Sequence, residues 1–146
     1  LPLPPRGSHE GNLLPSGALT LWPYTDMADP RWTWGTEYVL LRQDPQAQTP
    51  QKLGTGAHKG WIAYARQGHL FVVYVTSRPG AVYPDLGSVV ESFTNARMLE
   101  LETLGPLTTV APGAEVEHVE EWALFEGVAT PACDADVAAI AALHSA

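Results

Sequence analysis

Basic residues are scarce in this chain: 8 Lys and Arg stand against 16 Asp and Glu, for a formal net charge of −8. Nucleic-acid binding depends on neutralising phosphates with lysine and arginine, so that class is set aside, and anionic membrane surfaces with it. Cysteine is nearly absent. The single Cys133 excludes an internal disulfide; it fits a reducing, cytoplasmic setting and is compatible with a periplasmic one. No apolar run approaches the ~18 residues of a membrane span. His9, His58, His69, His118 and His144 are scattered without ligand spacing, so no metal is expected. No glycine run follows a strand and opens a helix, which removes a nucleotide cradle. Gly87-Ser88-Val89 is not a nucleophile elbow, and Cys133 has no base nearby in sequence. No cofactor is expected. The start lacks an initiator Met and a signal-peptide core, so the chain is expected to be processed or a piece of a longer one, which the resemblance described below would make the C-terminal portion.

Helical patterning is also sparse. Only residues 135–143 carry it, with Asp134 as N-cap and Val137, Ile140 and Ala141 on one side. Turn residues, by contrast, are plentiful: 13 Gly and 13 Pro punctuate short runs of Val, Leu, Trp, Tyr and Phe. That punctuation predicts one all-β domain over residues 1–146, an antiparallel sandwich or barrel. Strands are expected at 18–24, 37–43, 60–66, 69–76, 88–94, 97–103 and 116–125. Residues 23–35 and 43–60 read as long irregular stretches. Gln67-Gly68 predicts a hairpin with Ile62, Tyr64, Phe71 and Val73 on one face. Trp61, Ala63, Ala65, Leu70, Val72 and Tyr74 fall on the other. Two apolar faces call for cover on both sides, by another sheet, by loops or by a partner.

Chemistry concentrates in residues 89–102. A hairpin turning at Asn95-Ala96 pairs Phe93 with Met98 and Glu91 with Glu100. Glu91, Glu100 and Glu102 then share a face; a four-residue loop is expected to keep the same pairing, and a three-residue loop to move Glu91 to the other face. Like charges on a half-apolar surface call for a proton, a cation or a polar ligand, and one carboxylate can serve as a general base. Lys52 or Arg97 close to them would oppose any rise in their pKa and mark a structural ion pair. A second candidate is the aromatic stretch around Trp22, Tyr24, Asp26, Asp29, Arg31, Trp32 and Trp34. Rings beside Asp and Arg suit a sugar, and they equally suit a long loop pinned onto the core.

The segments Leu21-Trp22-Pro23-Tyr24-Thr25-Asp26, Asp29-Pro30-Arg31-Trp32, Pro50-Gln51-Lys52-Leu53-Gly54, Tyr83-Pro84-Asp85, Glu91-Ser92-Phe93-Thr94-Asn95 and 98–107 form a set. As a set they resemble a bacterial family of unassigned function, itself similar to the aldose-1-epimerase, or galactose mutarotase-like, superfamily. The resemblance implies an antiparallel β supersandwich with a sugar site on its concave face, in chains roughly twice this long. It also implies a carboxylate base acting on an anomeric hydroxyl, for which Glu91, Glu100 and Glu102 are the catalytic candidates by residue type. Trp32, Lys52 and Asn95 are the candidate substrate-binding residues. Lys52 would neutralise the carboxylates or meet an anionic sugar group, and Asn95 reads equally well as a turn residue. The expected partner is a carbohydrate or polyol, with an N-terminal portion or a second copy as the candidate protein partner. A non-catalytic sandwich that binds sugar or supports an assembly is the alternative of a different class.

Overall fold

The computed structural model describes residues 1–144. Among these residues nine strands and one α-helix follow in order: β1 (Leu19–Leu21), β2 (Trp32–Trp34), β3 (Val39–Leu41), β4 (Gln51–Thr55), β5 (Trp61–Arg66), β6 (His69–Tyr74), β7 (Val90–Thr94), β8 (Leu99–Thr103), β9 (Glu121–Glu126) and α1 (Asp134–His144), with a short 3-10 turn at Asp85–Gly87 before β7. Every strand pairing is antiparallel. The strands form a sheet ordered β1-β4-β7-β8, a sheet ordered β5-β6-β9 and the hairpin β2-β3. The architecture is all-β and sandwich-like, without a closed barrel. No described helix is long and apolar enough to cross a membrane.

Three apolar clusters join these layers. Ile62 and Val73 of the second sheet pack with Val89 and Val90 of the first. Trp32 and Val39 of the small hairpin pack on Leu53 of β4. Leu70 and Val72 meet Val128, with Ile140 of α1 against them. The β5–β6 hairpin therefore finds cover on both apolar faces within the described residues. Its turn forms because Gln67 and Gly68 both adopt positive φ, 52° and 81°, as a tight two-residue hairpin requires.

Two strands lie inside stretches expected to be irregular. β2 is Trp-Thr-Trp, and β4 is Gln-Lys-Leu-Gly-Thr. Tertiary pairing overrides weak local propensity in β4, which is hydrogen-bonded to β1 on one side and β7 on the other. The expected role of Asp134 also changes. Its carboxylate accepts from the backbone amides of Thr36, Glu37 and Tyr38 and from the Thr36 hydroxyl, so it fastens the β2–β3 turn to the start of α1.

Candidate functional site

The β7–β8 hairpin is present, but its register differs from expectation. The loop has four residues, Asn95 to Met98, so Glu91 pairs with Glu102 and Phe93 with Glu100. Glu91 does not pair with Glu100, and Met98 lies outside the strand. The cause is Asn95: its side-chain oxygen accepts from the amides of Arg97 and Met98, closing an Asx-type turn that takes in two more residues on the C-terminal side. The shift is even in register, so Glu91, Glu100 and Glu102 keep a common face.

Register across the first sheet then sets the site. Thr20, Gly54, Glu91 and Glu102 form one row across β1, β4, β7 and β8. Lys52, Phe93 and Glu100 form the next row on that face. Gly54 is required there because a Cβ would collide with the Ser88 hydroxyl and come within 3.4 Å of Glu91 Cγ. The vacant volume admits Ser88, whose hydroxyl donates to Thr20 Oγ1 at 3.1 Å.

Lys52 holds the cluster together. Its ammonium lies 2.8 Å from Glu91 Oε2 and donates to Glu102 Oε2 at 2.9 Å. Glu91 is fully buried at 0% exposure, and its Oε1 has no hydrogen-bond partner. Burial pushes the Glu91 carboxyl above the ordinary carboxylate range, although Lys52 pulls it down. For Lys52 burial works against the charge, yet the two carboxylates outweigh it and hold the ammonium above its usual range. Two anions thus share one cation, and the surplus negative charge sits beside a carboxylate cut off from solvent. The Glu102 side chain is 32% exposed, but its Oε1 is buried without a hydrogen-bond partner and its Oε2 is the atom that Lys52 holds.

An aromatic wall completes the face. Trp22, Pro23, Tyr24 and Thr25 make a β-turn closed by the Thr25 amide on the Trp22 carbonyl, with proline at its second position. The Thr25 hydroxyl donates to the Lys52 carbonyl at 2.6 Å, and the Asp26 amide donates to Gln51 Oε1 at 2.9 Å. These bonds pin the turn to β4. They set the Lys52 ammonium 4.7 Å from the Trp22 ring centroid, within cation–π range. Tyr24 is 39% exposed. Burial raises its phenol pKa; Lys52 lowers it, and Glu102, Glu91 and Glu100 raise it, which places the ring beside the cluster.

The structure thus gathers Lys52, Glu91, Glu100 and Glu102 on one face and leaves the other two candidates elsewhere. Trp32 is 6% exposed and donates from Nε1 to Gln51 Oε1 at 3.2 Å, on the interior side of β4. Asn95 is engaged in its turn. Arg97 is exposed at the hairpin tip. Trp22 and Tyr24 take the aromatic place assigned to Trp32. The signal for them was their nearness to β1, which carries Trp22 onto the face of the second residue before it, Thr20. Asp29, Arg31, Gln51 and Trp32 instead form a separate interior network, with Arg31 gripping Asp29 through Nε at 2.9 Å and Nη2 at 2.8 Å. No described group of three or more His, Cys, Asp or Glu side chains is arranged to hold a metal ion. A cavity of 640 Å³ lies on the opposite face of the sheet, away from this cluster. Comparisons with family models, with curated proteins and with solved structures give no match.

Proposed function

We propose that the Lys52 face binds a carbohydrate or related polyol. The observation that carries this reading is one ammonium held between two carboxylates beneath an indole, next to a half-exposed phenol. Sugar hydroxyls need paired donors and acceptors, which Lys52, Glu102 and Tyr24 supply. A pyranose also presents a C–H face that stacks on an aromatic ring, which Trp22 and Tyr24 supply. Glu91 cannot meet a ligand directly at 0% exposure, so it acts through Lys52 as a positioning residue. The resemblance to mutarotase-like sandwiches supports the same ligand class.

A second reading is isomerisation at an aldose anomeric centre, for which the part-exposed Glu100 and Glu102, and not the buried Glu91, are the carboxylates on this face that a substrate can approach. It requires a base on the anomeric hydroxyl and an acid on the ring oxygen. No described histidine contacts the cluster, so Lys52 and Tyr24 are the proton donors at hand. The test substitutes Glu100→Gln and Glu102→Gln one at a time. Sugar binding is measured by calorimetry and mutarotation by polarimetry. Loss of binding in folded Glu102→Gln supports the binding reading, and parent-level binding in both variants refutes it. Sugar binding by a parent that does not accelerate mutarotation removes the catalytic reading alone.

A further inference from the structure

The alternate residues of β8 face a different environment. While Glu100 and Glu102 point to the Lys52 face, Leu99 and Leu101 line the 640 Å³ cavity with Ser92 of β7. Its other walls are Val39 and Leu41 of β3, Leu70 and Val72 of β6, Ala63 and Ala65 of β5, and Val137 and Ile140 of α1. Close-packed interiors leave few voids larger than a water molecule, whereas ligand pockets span about 300–1,000 Å³. The cavity is of ligand size. Exposed lining residues, Thr33, Arg42, Arg66, Thr130 and Ala132, mark where it meets solvent.

Its charge is unlike that of the rest of the chain. Three of the eight basic residues, Arg31, Arg42 and Arg66, line this one cavity, and no Asp or Glu lines it among the described residues. Two of the three are ion-paired next to the lining, Arg31 with Asp29 and Arg42 with Asp44. Arg31 is 4% exposed, and its Nη1 is buried without a partner while Nε and Nη2 are engaged by Asp29 and Thr49. Arg42 is only loosely committed, with a 3.4 Å contact to Asp44 at the surface. A buried, incompletely paired guanidinium and two exposed ones beside apolar walls select for an oxyanion carried on an apolar body.

We infer that the interior cavity is a second binding site, for a single-chain amphiphile with an anionic head group. The alkyl body lies against Leu70, Val72, Leu99, Leu101 and Ile140, and the head meets lining guanidinium groups. The site is on the reverse of the sheet that carries Lys52, so it stands or falls apart from the polyol reading.

The test is calorimetry of the full chain with decanoate, decan-1-ol and acetate, below micelle-forming concentrations. The expected result is one decanoate per chain, bound at least tenfold more tightly than decan-1-ol, with no measurable acetate binding. Arg42→Gln/Arg66→Gln changes two exposed side chains, so the fold is retained; it should abolish the preference for decanoate over decan-1-ol. Ala63→Phe should fill the cavity and eliminate decanoate binding without lowering the Tm. If Ala63→Phe lowers the Tm, decanoate competition by the cavity is read instead from quenching of Trp61, which lines it. No decanoate binding to the parent, equal affinity for decan-1-ol, an undiminished preference in the double variant, or no response of Trp61 would each overturn the inference.

Discussion

Replacing Lys52 by methionine keeps the unbranched apolar stem and removes the cation that Glu91 and Glu102 share. Glu91 would then be a fully buried carboxylate opposite a second carboxylate, with Oε1 already unpartnered. Removing one partner of a buried pair costs about 3–5 kcal/mol, chiefly because the other charge is stranded. The Lys52–Glu102 contact adds little, about 0–1 kcal/mol, since Glu102 is a third exposed and screened. At about 2–4 °C per kcal/mol, the Tm of Lys52→Met should fall on the order of 10 °C at about pH 8. The loss should shrink in acid. A folded-state pKa above the unfolded value means the folded chain binds the proton more tightly. Stability of the variant is therefore greatest below the unfolded carboxylate pKa and declines as pH rises through the elevated folded value. Lys52→Met/Glu91→Gln should recover much of the loss. Urea denaturation followed by tryptophan fluorescence at about pH 5 and about pH 8 measures all three chains. A Lys52→Met variant within about 1 kcal/mol of the parent at the higher pH would refute the claim that a stranded buried charge dominates this face.

Three further outcomes are expected. Asp29→Ala strands Arg31, 4% exposed, and should cost about 3–5 kcal/mol by urea denaturation. In the parent, hydrogen bonds from Arg31 hold Asp29 down to about 2, so its contribution is complete above the unfolded carboxylate pKa and is lost as pH falls from there through the folded value of about 2, visible in an acid titration of the Tm. Asp134→Ala removes the acceptor for the Thr36–Tyr38 amides and should cost about 1–3 kcal/mol at neutral pH. Desolvation works against the Asp134 charge, but those amides hold its pKa below the ordinary range. The parent should therefore lose this advantage in acid, and an unchanged gap between parent and variant Tm there would contradict the assignment. Gly54→Ala drives a methyl into the Ser88 hydroxyl and should cost about 1–3 kcal/mol in a thermal melt, with recovery in Gly54→Ala/Ser88→Gly.

What the sequence made legible follows from how local each signal is. The β5–β6 hairpin was readable to the residue because Gln67-Gly68 defines a two-residue turn, and the observed register pairs Arg66 with His69 as that turn dictates. The Asn95 turn was ambiguous because an asparagine can head loops of different lengths, and only the amides it accepts from decide which. Parity survived that ambiguity, so the shared face of Glu91, Glu100 and Glu102 was legible while their pairing was not. β4 was hidden because its Gln, Lys and Gly have weak strand preference, and its place depends on two neighbours distant in sequence. Lys52 could be named by residue type, but its position between the carboxylates follows from that pairing. Trp32 and Trp22 could not be ranked by composition. One is consumed by Gln51 in the interior, and the other is turned onto the ammonium by a proline-containing turn.

The central claim is that a polyol rests on the Lys52 face, and a crystal structure of the protein soaked in a panel of common aldoses tests it most directly. The expected density is a sugar ring stacked on Trp22 or Tyr24, with hydroxyls within hydrogen-bond distance of Lys52 and Glu102. A sugar bound elsewhere, or an empty face at saturating sugar with the Lys52–Glu91–Glu102 contacts unchanged, would contradict the account and leave the cluster as a structural ion pair.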